Sequence, residues 1–187
     1  DIDLTYLPLK PRNEALTEIS ETLLTIGQEI ERRIPGSQVR GSRMHDLVVK
    51  LMVSTSDAVI KIEPNLILRG SVNQPRNMDL CPVAQRHFGA FVSVPTLSVA
   101  DLYGGKLCAA LDRQHPRDLF DVKVLLDDTG ITPEIRRSFV VHLAGHNRPM
   151  NELLSPNLLD MKSLYDDQFV GMTEEEVPLK ELQQVQE

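Results

Sequence analysis

The sequence predicts an α/β (α+β) chain, with a mixed sheet core flanked by helices and a helical C-terminal part. Three observations carry this expectation. Two short runs rich in β-branched and apolar residues, Leu47 to Val53 and Ala58 to Ile62, are joined by the turn-forming Ser54-Thr55-Ser56-Asp57. A long stretch from about Asn13 sets Ala15, Ile19, Leu23, Ile26, Ile30 and Ile34 at helical steps. From Ser98 onward, caps and prolines punctuate further helical patterns.

Taken in order, Asp1 to Leu7 alternates as a strand and is stopped by Pro8 and Pro11. The long helix then runs until Pro35-Gly36 ends it. After the two β-type runs, Leu66 to Leu68 continues an extended path towards Arg69-Gly70. Residues 71–90, with Pro75 and Pro82, read as an irregular surface excursion. Ser98 is a good N-cap for a helix carrying Leu102, Leu107, Ala110 and Leu111. Asp112 to His115 breaks that helix, and Pro116 sits in the first turn of the next, which runs to about Asp127. Thr132-Pro133 opens a third helix by the same logic, ending near Gly145. Beyond Asn147 the signals weaken, with Leu153, Leu158 and Leu159 placed to dock on the body. Residues 173–187 hold five Glu and one Lys and read as a solvated helix or a disordered tail. The expected organisation is a core over 1–95, a helical region over 96–170 and an acidic tail over 171–187.

Composition narrows the function classes. The 187 residues are 41% hydrophobic and 25% charged, an ordinary globular balance. No apolar run approaches the roughly 20 residues needed to cross a bilayer. Cys81 and Cys108 make neither a disulfide framework nor a zinc set, so a reducing cytoplasm is the natural compartment. A net charge of −7 argues against wholesale coating of nucleic acid but leaves room for a local basic groove. The chain opens at Asp1 inside an apolar-alternating run and reads as one entered partway through a domain.

Three groups of residues are able to carry chemistry. In Asp1-Ile2-Asp3 the carboxylates lie two apart on a strand and share a side. Paired carboxylates repel unless a cation or proton intervenes, and oxygen ligands at this spacing suit Mg²⁺ beside substrate phosphates. Read alone, such a pair is more often two surface acids. Glu63, in Lys61-Ile62-Glu63-Pro64-Asn65, supplies a third carboxylate for in-line phosphoryl or nucleotidyl transfer, or else belongs to an ordinary Lys–Glu strand face. On the helical side, Lys106 and Arg113 are seven apart and share a face, as do Asp118 and Asp121. Basic groups near acidic ones suit a triphosphate, although the same residues also make a salt-bridged helical hairpin. Gly104-Gly105-Lys106 lacks P-loop spacing, so its glycines serve close packing or ligand approach. His142 and His146 have ligand spacing without a third ligand, which makes a metal role there weak.

In order, Asp1-Ile2-Asp3-Leu4, then Lys61-Ile62-Glu63-Pro64-Asn65 to Arg69-Gly70, then Leu97-Ser98 through Lys106 to Arg117-Asp118 and Asp121, resemble the AbiEii/AbiGii nucleotidyltransferase toxins. That family is a branch of the polymerase-β-like nucleotidyltransferase superfamily. The resemblance covers about residues 1–130. It implies a nucleotidyltransferase core, an NTP substrate with Mg²⁺, transfer to an RNA acceptor (tRNA for some members), and a cognate antitoxin. By position it implies Asp1, Asp3 and Glu63 as metal-binding and catalytic acids, with Glu63 helping to activate the attacking hydroxyl. It further implies Lys106 at the triphosphate, Arg113 as a second phosphate contact, and Arg117, Asp118 and Asp121 as an R-D-x-x-D signature with Asp121 an active-site acid. The Gly-Gly-Ser/Thr turn that precedes the Asp pair in the family, and cradles phosphate through backbone N–H groups, is absent from this chain. The alternative expectation is therefore a non-catalytic nucleotide-binding or interaction module. A metal-dependent phosphohydrolase is a third option, because the same carboxylates could activate water.

Overall fold

The computed structural model describes residues 1–186, which form two compact units, residues 1–70 and residues 71–186. In the first unit, β1 (Ile2–Leu4), α1 (Arg12–Arg33), β2 (Gln38–Met44), β3 (Leu47–Ser54) and β4 (Val59–Pro64) follow one another. The sheet order is β1-β4-β3-β2, with β1 parallel to β4 and the other neighbours antiparallel. This is the expected mixed sheet. Period-two alternation sends Leu51, Val53 and Ile62 to one face, where Leu16, Ile19 and Leu23 of α1 pack on them. A register shift between Ser42 and Arg43 leaves β3 one residue longer than β2 at that point, which restores Val48 to the same apolar face. Ser20 Oγ, buried in α1, accepts from the Val48 N–H at 2.9 Å and fixes helix to sheet.

β1 is shorter than the expected run to Leu7, because its partner ends at Pro64, which has no N–H to continue the ladder. The chain stays alongside even so: Asn65 N–H donates to Leu4 O and Gly70 N–H to Tyr6 O. Strand β2 was not expected. Most of its residues are exposed, so it carries little hydrophobic alternation.

The second unit begins with β5 (Arg76–Asp79), α2 (Pro82–Phe88) and β6 (Ser93–Thr96), with β5 and β6 antiparallel. Residues 71–90 are thus not the irregular excursion expected; the strands are short, exposed and poor in paired apolar positions. They share a compact unit with the helices that follow, whereas the sequence grouped residues through 95 with the first core. Then come α3 (Val99–Arg113), α4 (Pro116–Asp128), α5 (Pro133–Ala144), α6 (Met150–Leu154), α7 (Lys162–Gln168) and α8 (Leu179–Gln186). Ser98 and Thr132 cap α3 and α5 by accepting from the Asp101 and Ile135 N–H groups, as their positions predict. The break before α4 falls at Gln114, which adopts a left-handed φ of 50°. Its buried amide offsets that strain by accepting from the Leu159 N–H and from Gln186 Nε2, and by donating to Asn157 O. The acidic tail is corrected on one point. Residues 179–186 form a helix that is docked rather than merely solvated, with Leu182 fully buried among Leu119, Val122, Met161 and Phe169.

Gly104 allows α3 and α5 to cross closely. A Cβ there would lie 2.9 Å from Phe139 N and from Ser138 C, whereas at Gly105 the nearest atom is 3.7 Å away. Gly104→Ala is therefore expected to destabilise by about 1–3 kcal/mol, because backbone overlap outweighs a helix-propensity gain of about 1 kcal/mol. Gly105→Ala should keep most of that gain and stabilise. Urea melts of the two variants check the opposite signs.

Candidate active site

Parallel pairing of β1 with β4 sets Asp3 directly opposite Glu63 and Ile2 opposite Ile62. Residues paired across a sheet share a face, about 5 Å apart between backbones. Asp1, two residues before Asp3, lies on the same side, and so does Lys61, two residues before Glu63. The antiparallel register of β3 with β4 puts Lys50 beside Glu63. One face of the sheet is therefore apolar and covered by α1, while the other carries Asp1, Asp3, Glu63, Lys61 and Lys50.

The charges on that face are interleaved. Lys61 Nζ stands 3.3 Å from Asp1 Oδ2 and 3.3 Å from Glu63 Oε2, and Lys50 Nζ is 3.0 Å from the same Glu63 oxygen. Glu63 Oε2 is shielded from solvent and has no aligned hydrogen bond, and among the described residues these two ammonium groups are its close partners. The Lys50 ammonium lowers the Glu63 pKa; partial burial opposes this, and Lys61 adds to the lowering. Asp3 is exposed and has no ion-pair or hydrogen-bond partner among the described residues. Both lysines bear on the site. Lys61 was read from sequence only as a strand-face partner of Glu63, and Lys50 was missed because its alignment depends on the β3–β4 register.

Among the described residues no three His, Cys, Asp or Glu side chains stand in a metal-holding arrangement. The donor set nevertheless fits a hard divalent cation in kind. It consists of carboxylate oxygens alone, one of them free on Asp3 and one on Glu63 held only by ammonium groups.

In the second unit the basic and acidic candidates pair with each other across α3 and α4. Lys106 binds Asp121, and Arg113 Nη2 lies 2.7 Å from Asp118 Oδ1. Asp118 Oδ2 is buried without a hydrogen bond. Arg117 is exposed, and its backbone N–H donates to His115 Nδ1. His142 is partly buried, which lowers its pKa, and its Nδ1 lacks a hydrogen bond. His146 faces Asp112 at 3.7 Å, so the two histidines do not form a ligand pair. Burial lifts the Cys108 thiol to about 11, which leaves it unreactive at neutral pH.

This α/β chain, whose mixed sheet carries Asp3 of β1, the preceding Asp1 and Glu63 of β4 on one face, has the fold of a nucleotidyltransferase. The chain belongs to the AbiEii family: the family described as "Nucleotidyl transferase AbiEii toxin, Type IV TA system" matches residues 1–187. Among solved structures the chain is similar to MenT4, a nucleotidyltransferase toxin from Mycobacterium tuberculosis H37Rv. The TM-score is 0.55 at 18% identity, over 82% of this chain and 55% of that one, a likeness of fold. The chain thus spans about 55% of the length of that toxin. No curated protein matches it. No helix among the described residues is long and apolar enough to cross a membrane.

Proposed function

We propose that the carboxylate face of the β1–β4 pair is the catalytic face of a metal-dependent nucleotidyltransferase. It would transfer a nucleotide from an NTP to an acceptor hydroxyl on RNA, with tRNA the leading candidate, as the toxin of a toxin–antitoxin pair. The observation that carries this reading is the register of Asp3 against Glu63, in a chain of the AbiEii family. Asp1, Asp3 and Glu63 would hold Mg²⁺, which supplies charge neutralisation at the phosphate and makes the acceptor hydroxyl easier to deprotonate.

The protein groups have separate tasks. Glu63, kept ionised by its lysine neighbours, would serve as an oxygen donor to the metal and through it help to activate the attacking hydroxyl. Lys106 and Arg113 are proposed phosphate contacts. Asp121, which the resemblance implied as an active-site acid, pairs with Lys106, and Asp118 pairs with Arg113, so both are proposed instead as positioning residues for those side chains. Exposed Arg117 adds positive charge for a polyanion. A cognate antitoxin is the proposed protein partner.

The test is transfer of α-labelled NTP to a tRNA pool by the full-length protein, with and without chelator. Label attached to RNA and abolished by chelator is the expected result. Label released only as free nucleotide, with the RNA unmodified, would assign phosphohydrolysis instead.

A further inference from the structure

We infer that Lys61 is a resident counter-cation of the carboxylate face, occupying the charge position that a divalent cation takes when it binds. This rests on the nucleotidyl-transfer reading and specifies how the same face regulates its own loading.

The argument begins with charge. Asp1, Asp3 and Glu63 place three negative groups on one sheet face at neighbouring register positions. Carboxylates on one sheet face at neighbouring register positions disfavour one another's ionisation unless positive charge stands among them. The sequence places that charge at the one position between Asp1 and Glu63. Lys61 is two residues before Glu63 on the same strand and faces β1 at the level of Asp1. Its Nζ reaches both acids, at 3.3 Å each. Its backbone N–H also donates to Asp1, 3.4 Å from Oδ1. Lys61 is thus the only side chain among the described residues that bridges Asp1 and Glu63.

A divalent cation drawn to the same oxygens would meet the Lys61 ammonium as a like charge and as a competitor for ligands. Binding therefore requires the lysine to let go. The cost of releasing it is small, because its side chain is about one-third exposed and the flexible stem can swing to solvent. Lys50 makes a useful contrast. It touches Glu63 alone, on the side away from β1, so it competes for one ligand rather than bridging two.

The experiment is titration of the purified full-length protein with Mn²⁺ alone, reading free Mn²⁺ by electron paramagnetic resonance, alongside thermal melts. Lys61→Met is expected to tighten Mn²⁺ binding by about tenfold, the effect of removing one like charge at close range in a partly screened site. Lys50→Met should tighten it less. Lys10→Met changes net charge equally, but its lysine pairs with Glu14 and Glu18 outside this face, and it should leave Mn²⁺ affinity within twofold of wild type. A Lys61→Met affinity within twofold of wild type, or weaker, overturns the inference, as does equal tightening by Lys10→Met. Should Lys61→Met not fold, Lys61→Gln removes the charge with less change in polarity, and the same direction is expected. Asp3→Asn separates the two levels of argument. If Asp3→Asn weakens Mn²⁺ binding but Lys61→Met fails to tighten it, the counter-cation falls alone. If Asp3→Asn leaves binding unchanged, the carboxylate face itself is not the metal site.

Discussion

Asp3→Asn is expected to lower nucleotidyl transfer by about 10³-fold or more while moving the melting temperature by no more than a few degrees. Two observations make the effect separable. Asp3 sits in register with Glu63 on the charged face, so the substitution removes one of three oxygen-bearing charges from the proposed site. Its carboxylate has no protein partner among the described residues, so no ion pair or hydrogen bond of the fold is lost with it. Substituting Glu63 would be less clean, because Lys50 and Lys61 both lean on it. The measurement is a rate of label transfer to RNA beside a melting curve. Activity within tenfold of wild type would remove Asp3 from the catalytic face. A large drop in melting temperature would show instead that the residue is structural.

The parts of this architecture that were legible in the sequence are those written in punctuation and period. Pro35-Gly36, Ser98, Pro116 and Thr132-Pro133 each mark a helix end that the structure reproduces within a residue or two. The alternation in β3 and β4 is strong because one face is buried under α1. Strand β2 left no such trace: its outer position in the sheet asks little of its side chains, and Gly41 and two arginines interrupt the pattern. For α8 the acidic composition masked a stripe of Leu179, Leu182 and Val185, and the stripe decides where the helix goes.

The candidate site divides in the same way. That Asp1 and Asp3 share a side follows from strand period alone, and so does the shared side of Lys61 and Glu63. Which acid of β1 faces which residue of β4 is a matter of register, and register is a tertiary property set by α1 packing and by Pro64 ending the ladder. Lys50 depends on a second register, that of β3. On the helices, the spacing of Lys106, Arg113, Asp118 and Asp121 indicated shared faces, and the pairing of α3 with α4 turned those faces into ion pairs. Asp101 left a weaker signal. In a first helical turn it reads as an ordinary acid favoured by the helix dipole.

In the folded chain Asp101 does considerably more, and Asp101→Ala should give the largest loss of stability of any single substitution considered. The residue is 2% exposed. Oδ1 accepts from the Val72 N–H and the Ser138 hydroxyl, and Oδ2 accepts from the Asn73 N–H, Asn73 Nδ2 and the Ser98 hydroxyl. One side chain thereby ties the 71–73 segment to the start of α3 and the middle of α5. Ser138 is itself fully buried and accepts from Asn73 Nδ2. Truncation strands several donors away from water at once, which costs about 3–5 kcal/mol.

The pH dependence has a definite sign. Burial pushes the Asp101 carboxyl up, but the hydrogen bonds from Asn73, Ser98, Val72 and Ser138 outweigh it, so the folded pKa lies below the ordinary 3.8. A group depressed in the folded state contributes stability that is fully present above its unfolded pKa and lost as pH falls through the folded value. The gap between wild type and Asp101→Asn, which leaves an uncharged amide among the same donors, should therefore be constant from about pH 5 to 8 and shrink below about pH 4. Urea melts of both proteins at four or five pH values measure it. A gap that widens on acidification would mean that the carboxyl is held protonated in the fold, and the hydrogen-bond assignment around it would have to be reversed.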